Sequence, residues 1–572
     1  MHIILRAFLY GILISLATAC AQEINDHPDT IYIHGNIITI NEAQPFAQAL
    51  ATKEGLISGV GDSETLLRLK GPSTKIVDLA GATVVPGFID AHSHFAGVGT
   101  QAMVANLLPA PDGPVNTIAG LQAEISHFIA TSPIAKNYKV AIGFNYDDSQ
   151  LVEQRHPNRH DLDAVSTEIP IVVMHQSGHI GAYNSKALEI MGITAETPDP
   201  AGGVIECESD GKTPNGVMQE NAHFMIFFRL IPDFSTPDLV TLYKAGEHAY
   251  LSNGFTTVQE GKTDLETLNI LPQIAASHGF DIDIISYPDI AAIGGEALLK
   301  DRQISKEYLN GFRIGGVKLT FDGSPQGKTA WFTKPYLVPP SGQPPEYSGY
   351  PAFTDEEALE WMSLAFANNW QLLVHTNGDA AIDQLIRLLK RAQSNLKNRD
   401  HRTVMIHGQF TRKDQINSLK DLGIFPALYP MHTFYWGDWH RDSVTGLERA
   451  NNISPTGWMI DQAMRFSIHS DAPVTFPNSM RIIDSAVNRT TRTGKVLGAA
   501  HRLSPMDALK ALTIWAAYQH FEESIKGSLE VGKQADFVVL DADPLTVETT
   551  NIKNMKVLKT VNNDKTVFTH GD

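Results

Sequence analysis

The chain has 572 residues, 43% of them hydrophobic and 19% charged, with a formal net charge of −18. Such a composition excludes a disordered chain and supplies more core than one ordinary domain needs. The acidic balance argues against nucleic acid and anionic membrane surfaces as partners, since both call for clustered Lys and Arg, and suits a small neutral or cationic substrate.

The first element is an address. Arg6 precedes the apolar run "AFLYGILISLATAC", which closes on the small residues Ala17, Thr18 and Ala19 in the manner of a secretory signal. Residues 1–21 are therefore expected to be a signal peptide, and the mature protein to be exported, either periplasmic or lipid-anchored to a bacterial membrane. Cys20 stands where a bacterial lipoprotein is acylated, but Ala17 replaces the larger aliphatic residue usual three positions earlier, so a lipid anchor is an option and not a requirement. No later run is long and apolar enough to span a bilayer. Cys207 is the other cysteine, and it has no partner for an intrachain disulfide once Cys20 is removed or acylated.

Residues 22–85 hold short alternating segments, "TIYIHGNIITI", "AQALATKEGLISGVG" and "KIVDLAGATVV", broken by Gly and Asn turns. Residues 521–572 repeat that character in "GSLEVGKQADFVVLDADP" and "MKVLKTVNNDKTVFTHG", so the two chain ends are expected to pair into one β-sandwich. Between them, residues 86–520 alternate apolar strand-like runs with helical-period stretches such as "DEEALEWMSLAFANN", the signature of βα repeats. The expected fold is α/β: a (β/α)8 TIM barrel flanked by the sandwich. His94 and Lys318 lie too far apart for three βα units, which places a large insertion, about residues 100–225, in the first half of the barrel.

The chemistry-bearing residues sit where the apolar runs give out. "VVPGFIDAHSHFAG" ends in His92 and His94, two imidazoles that a strand would point to one side. "RIGGVKLTFDG" carries Lys318, "WQLLVHTNGD" ends near His375, "RTVMIHGQ" near His407 and "RFSIHSDAP" near Asp471. His375 and His407 are 32 residues apart, one βα repeat, and Asp471 follows 64 residues later, two repeats. In an eight-stranded parallel barrel such strand ends share one rim, where that fold carries out its chemistry. Each residue alone has a plainer reading: a hydrogen-bonded histidine, a lysine reaching solvent, an aspartate capping a helix. Jointly, at repeat spacing, they read as a metal site.

The motifs "GFIDAHSH", "GVKLTFDGS", "VHTNGDAAI", "MIHGQ", "HSDAPV" and "GSLEVGKQADFVVLD" resemble the metal-dependent amidohydrolase superfamily. "GHIGAYNSKALEIMGI", "PAGGVIECESDGKTPNGVMQE" and "GFTTVQEG" resemble its YtcJ-like (amidohydrolase 3) branch, which includes N-substituted formamide deformylases. The resemblance spans nearly the whole mature chain. It implies that His92 and His94 are the first-strand metal pair, that Lys318 is carbamylated to bridge two metals, that His375 and His407 are further ligands, and that Asp471 is both ligand and catalytic acid/base. Asn377 and Ala380 stand where this branch more often has an apolar residue and an Arg. The implied cofactor is a pair of divalent ions, with zinc the ion best suited to imidazole and carboxylate donors. The implied reaction is hydrolysis of an amide-type C–N bond, of the N-substituted formamide or N-acyl amine class, by a metal-activated hydroxide.

Further candidates come from loops. His179 and Glu220 in the insertion, and His432 and Trp436 in the aromatic segment "YPMHTFYWGDWH" after the presumed seventh strand, are candidate substrate contacts. Asp322 and Asp379 are candidate partners orienting the ligand histidines. Two alternatives stay open: a deaminase of a cyclic or nucleobase-like substrate, and a non-catalytic ligand-binding barrel. Homo-oligomerisation is also open.

Overall fold

The computed structural model describes residues 27–571 apart from 201–202, 296–297, 299–303, 341, 393–395 and 397–399. The expected signal peptide and Cys20 lie outside the described residues. Among the described residues no helix is long and apolar enough to cross a membrane.

Both chain ends build one sheet. Strands Asn36–Ile38, Phe46–Ala47 and Thr83–Pro86 join Phe537–Leu540, Val557–Asn562 and Lys565–Thr569, with Thr83–Pro86 antiparallel to Phe537–Leu540. A second sheet of Leu56–Gly61, Ala49–Lys53, Thr30–Ile33 and Lys75–Asp78 lies beside it. Tyr32, Leu50 and Ile57 of this second sheet pack with Val84, Phe537, Val539 and Val561 of the first. Alternation of apolar and polar residues along these strands gives each sheet one face to bury. The Tyr32 hydroxyl donates to Asp564 at 2.8 Å, which ties the first strand of the chain to the last turn.

The central part is parallel. One run orders Phe88–Ile89, Phe255–Thr263, Asp283–Pro288 and Phe312–Ile314; the other orders Gly316–Thr320, Gln371–Thr376, Val404–His407, Phe425–Leu428 and Ser467–Ile468. A parallel bridge between Asp289 and Lys318 joins the runs at one junction. At the other, the Asp471 N–H donates to His92 C=O at 3.2 Å and the His94 N–H to Ala472 C=O at 2.7 Å. The strands are buried along nearly their whole length, as parallel strands covered on both faces must be. Helices such as Leu265–His278, Asp355–Ala367, Asp379–Ala392 and Ser479–Asn488 supply the cover. The Asp355–Ala367 helix starts at a capping box between Thr354 and Glu357.

Residues 105–220 form a separate six-stranded mixed sheet, ordered Gly203–Cys207, Pro214–Glu220, Ile180–Tyr183, Ile171–His175, Ala141–Tyr146, Ala105–Asn106. It carries its own apolar clusters, and the Asn221–Leu230 helix packs on one of them through Ile226 and Phe227. The aromatic segment expected to be a loop is instead a helix, Met431–Trp439, followed by a π-helical turn at His440–Val444. It is buried on most sides, so no polar stripe exposes its helical period in the sequence.

Candidate metal centre

His92 and His94 do not share a strand face, because the strand ends at Ile89. They lie on the connection into the Phe95–Met103 helix, held by the backbone bonds to Asp471 and Ala472 and by Gly261 N–H donating to Ser93 C=O at 2.8 Å. Their rings still converge, with centroids 5.3 Å apart. Gly261 permits this: a Cβ there would sit 2.5 Å from His92 Cε1. The Gln259 amide is fixed by its Nε2–H donating to Ala91 C=O at 2.7 Å, so its Oε1 accepts from His92 Nδ1 at 2.7 Å. That bond puts the proton of His92 on Nδ1 and points the Nε2 lone pair at the centre, where Lys318 Nζ is the group within hydrogen-bond distance of it.

The other predicted residues meet it. Lys318 Nζ lies 3.0 Å from His92 Nε2. Asp471 Oδ1 lies 3.4 Å from His94 Nε2 and 3.6 Å from His92 Nε2, while its Oδ2 lies 3.9 Å from His407 Nε2. The His375 and His407 rings are 4.5 Å apart. His375 Nδ1 is 3.3 Å from Asp322 Oδ1, and its Nε2, on the other edge, lies 3.3 Å from Asn377 Nδ2. His407 (φ 71°) and Asp471 (φ 53°) both hold left-handed backbone at the ends of their strands. Such conformations cost about 1–3 kcal/mol each for non-glycine residues and cluster at functional sites.

Burial sets the charges. It holds the imidazoles of His92 and His407 well below the usual histidine range, helped at His92 by Lys318 and at His407 by His375, and it lowers His375 as well. Burial also pulls Lys318 down to about 7 against the opposing charge of Asp471. Burial thus favours neutral imidazoles at His92, His375 and His407 beside a lysine able to shed its proton. Asp471 Oδ1 and His407 Nδ1 are buried with no hydrogen-bond partner. A bare carboxylate oxygen facing imidazole lone pairs is repulsive unless a cation sits between them, so these donors fit a divalent metal.

A cavity of about 450 Å³ opens over these residues. The candidate ligands form one end; Phe144, Met174, Phe224, Phe227 and Ile231, from the 105–220 sheet and the segment that follows it, form an apolar flank. His179 lines the cavity and pairs with Glu220 at 2.8 Å, and Glu220 itself has φ 51°. His432 lines it too, whereas Trp436 lies behind His432, rings 4.7 Å apart, and donates to Asp147 at 3.2 Å. Asp379 is placed apart from the imidazoles: its oxygens accept from Thr333 and from Arg412. Three residues in or behind this centre stand within the quoted motifs but are not among the candidates those motifs name. Gln259 sets the His92 tautomer. His469, two residues before Asp471, is fully buried with both ring nitrogens unpartnered and lies 5.4 Å from His92 and 5.2 Å from His407 between centroids. His440 sits behind His432. The signal for His469 was visible, a polar ring inside an apolar run, but its neighbour Asp471 explained the motif without it.

A second cluster of metal-competent residues, Asp147, Asp148 and His175, lies in the insertion. There the Ser177 N–H donates to His175 Nδ1 at 3.0 Å, so the His175 proton sits on Nε2, 3.0 Å from Asp148. In that arrangement the one ring lone pair is taken by the Ser177 N–H and Nε2 faces a carboxylate, so the ring offers no free nitrogen lone pair to a metal.

Residues 75–568 match the Amidohydrolase family. The N-substituted formamide deformylase of Arthrobacter pascens is 28% identical over 93% of this chain and 97% of its own. YtcJ of Bacillus subtilis is 26% identical over 94% of this chain and 99% of its own. An uncharacterized metal-dependent hydrolase from Pyrococcus horikoshii has the same fold, with a TM-score of 0.72 at 23% identity, covering 91% of this chain and 99% of that one.

Proposed function

The chain belongs to the amidohydrolase family, and from that premise we propose that it is an exported hydrolase of N-substituted formamides or N-acyl amines with an apolar substituent. On this reading the two parallel runs close as one (β/α)8 barrel over residues 86–520. The end segments, 22–85 and 521–572, make a flanking β-sandwich. The observation that supports the chemistry is the meeting of His92, His94, Lys318, His375, His407 and Asp471 around one unpartnered carboxylate oxygen.

His92, His94, His375, His407 and Asp471 would hold two divalent ions, zinc by donor type, with Lys318 bridging them as a carbamate. Its low proton affinity suits it to capture carbon dioxide as the neutral amine. When bound, such ions polarise the carbonyl and acidify a water. The side chains do the rest. Asp471, whose Oδ1 faces both His92 and His94, takes the proton of the attacking water and returns it to the departing nitrogen. The flank of Phe144, Met174, Phe224, Phe227 and Ile231 holds the apolar substituent and keeps water from the other side of the amide.

The test is a panel of N-formyl and N-acyl amines assayed before and after chelation, with metal analysis of the purified mature chain. Carboxylic acid release that stops on chelation and returns with added zinc is expected. Ammonia release without an acid product would favour deamination; turnover indifferent to chelation would overturn the reading.

A further inference from the structure

Behind the cavity wall two histidines face each other. The His432 and His440 ring planes are nearly parallel, 4° apart with centroids at 5.2 Å, and the rings meet edge to edge, His432 Nδ1 lying 2.9 Å from His440 Nε2. Both are buried, at 2% and 0% exposure. His440 Nδ1 has no hydrogen-bond partner. It opens the π-helical turn His440–Val444, a local widening that recurs at functional sites and costs a regular helix its register. With Nδ1 turned to His440, His432 meets the cavity with its opposite, Nε2 edge.

Two buried rings sharing one hydrogen bond cannot both be cations, and burial holds both well below the usual histidine range. Two neutral arrangements remain. In one, His432 Nδ1–H donates to His440 Nε2. His440 must then carry its own proton on Nδ1, where nothing accepts it, and a buried N–H without an acceptor is the rarer and costlier kind of orphan. In the other, His440 Nε2–H donates to His432 Nδ1. Its orphaned Nδ1 is then only a lone pair, and both rings take the Nε2–H tautomer that free histidine prefers. The second arrangement wins on both counts. It places a proton on His432 Nε2, at the cavity.

We infer that His440 is a positioning residue: by donating to His432 Nδ1 it locks His432 as an Nε2–H donor, which meets the oxygen of the scissile carbonyl as negative charge builds there. The donor assignment stands on the ring geometry, the burial of both rings and the orphaned His440 Nδ1, and its role toward the carbonyl rests on the hydrolase reading above. A neutral donor fixed in direction by a buried partner needs no reorganisation during the reaction, which is where such hydrogen bonds gain their effect. His440 touches nothing in the cavity itself.

Histidine-selective 15N labelling, with the His432 signals identified by their loss in His432→Gln, reads the tautomer directly. Wild type is expected to show His432 protonated on Nε2. His440→Phe keeps a ring but removes the donor. It should release His432 into mixed tautomers and lower kcat on the best amide by about 10²–10³-fold, the scale of losing one oxyanion donor. KM should change by no more than a few-fold, and bound metal should not change. His440→Gln, whose amide N–H can still donate, should recover most of both. A wild-type His432 protonated on Nδ1 overturns the inference without any variant, and so does a His440→Phe protein with unchanged kcat. If wild type turns over no amide at all, the hydrolase reading fails while the tautomer measurement still decides the role of His440.

Discussion

Asp322 holds more of the centre than its distance from the cavity suggests. Its Oδ1 accepts from the Asn377 N–H at 2.9 Å and lies 3.3 Å from His375 Nδ1; its Oδ2 accepts from the Gly378 N–H at 2.7 Å and the Trp331 N–H at 3.0 Å. The residue is 2% exposed, so water does not compete. In Asp322→Asn one oxygen becomes an NH2 group that faces a donor whichever way the amide is turned; on the less costly side only the Asn377 N–H loses its acceptor. At about 1–3 kcal/mol for an orphaned buried group, the variant should be destabilised by about 1–3 kcal/mol. His375 also loses the carboxylate that orients it, a change that typically weakens metal affinity 10–100-fold, about 1.4–2.7 kcal/mol. Thermal unfolding of the metal-stripped protein measures the first effect and chelator-competition titration with zinc the second. If Asp322 acts on the metal through His375, Asp322→Asn adds no loss of affinity in a His375→Ala background, although it still lowers stability there. Wild-type affinity in the single variant, or full additivity in the pair, would refute this account of Asp322.

Lys318→Met replaces the buried amine with an uncharged chain of similar length. Because burial lowers the lysine from 10.5 to about 7, the wild-type penalty is full below about pH 7 and fades as pH rises toward 10.5, where the unfolded chain also loses its proton. Metal-stripped Lys318→Met should therefore unfold at a higher temperature than wild type at pH 6, with the gap closing by pH 10; a gap that ignores pH would refute the burial argument. Asp471→Asn should lower kcat by about 10²–10⁴-fold, the usual weight of a general acid/base, and the loss should be smaller for amides whose leaving amine is a weaker base, since these need less help from a proton donor. Equal losses across a leaving-group series would place Asp471 outside proton transfer. Phe227→Ala should raise KM for substrates with aromatic N-substituents by about 10–100-fold, from the roughly 1.5–3 kcal/mol that burying such a ring contributes, and leave N-methylformamide unchanged. A uniform rise would mean that Phe227 shapes the fold and not the subsite.

What the sequence disclosed and what it hid follow from range. His92, His375, His407 and Asp471 close apolar runs, so a local pattern marked them, and the repeat spacing gave reason to bring them together. His94 was found by the same pattern although the strand stops at Ile89, because the turn that replaces it still aims both rings inward. Gln259, His469 and His440 have no such mark. Each matters through one partner distant in the chain or masked by a stronger neighbour: Gln259 through His92, 167 residues away, His469 beside Asp471, and His440 through a ring eight residues back on a helix whose buried surface hides its period. Asp322 and Asp379 looked alike in sequence, each a few residues past a ligand-bearing run. They diverge in space because Asp322 turns inward under the backbone of residues 377–378, whereas Asp379 opens a helix and is drawn to Arg412.

The two halves of the cavity have different origins, and that has a consequence for how the protein can change. The candidate ligands stand at or just past the ends of parallel strands packed into a large apolar cluster, where a displaced side chain is resisted from all sides. The apolar flank comes from the 105–220 sheet and the Asn221–Leu230 helix, whose clusters are separate from that core. Volume changes at Phe144, Phe224 or Phe227 are therefore absorbed within the insertion and do not reach Lys318 or Asp471. Repacking that flank should shift substrate preference with metal affinity intact. The converse does not hold: Gln259 reaches His92 through a single hydrogen bond and the Asp322 carboxylate lies 3.3 Å from His375, so a change at either alters the centre without touching the substrate at all.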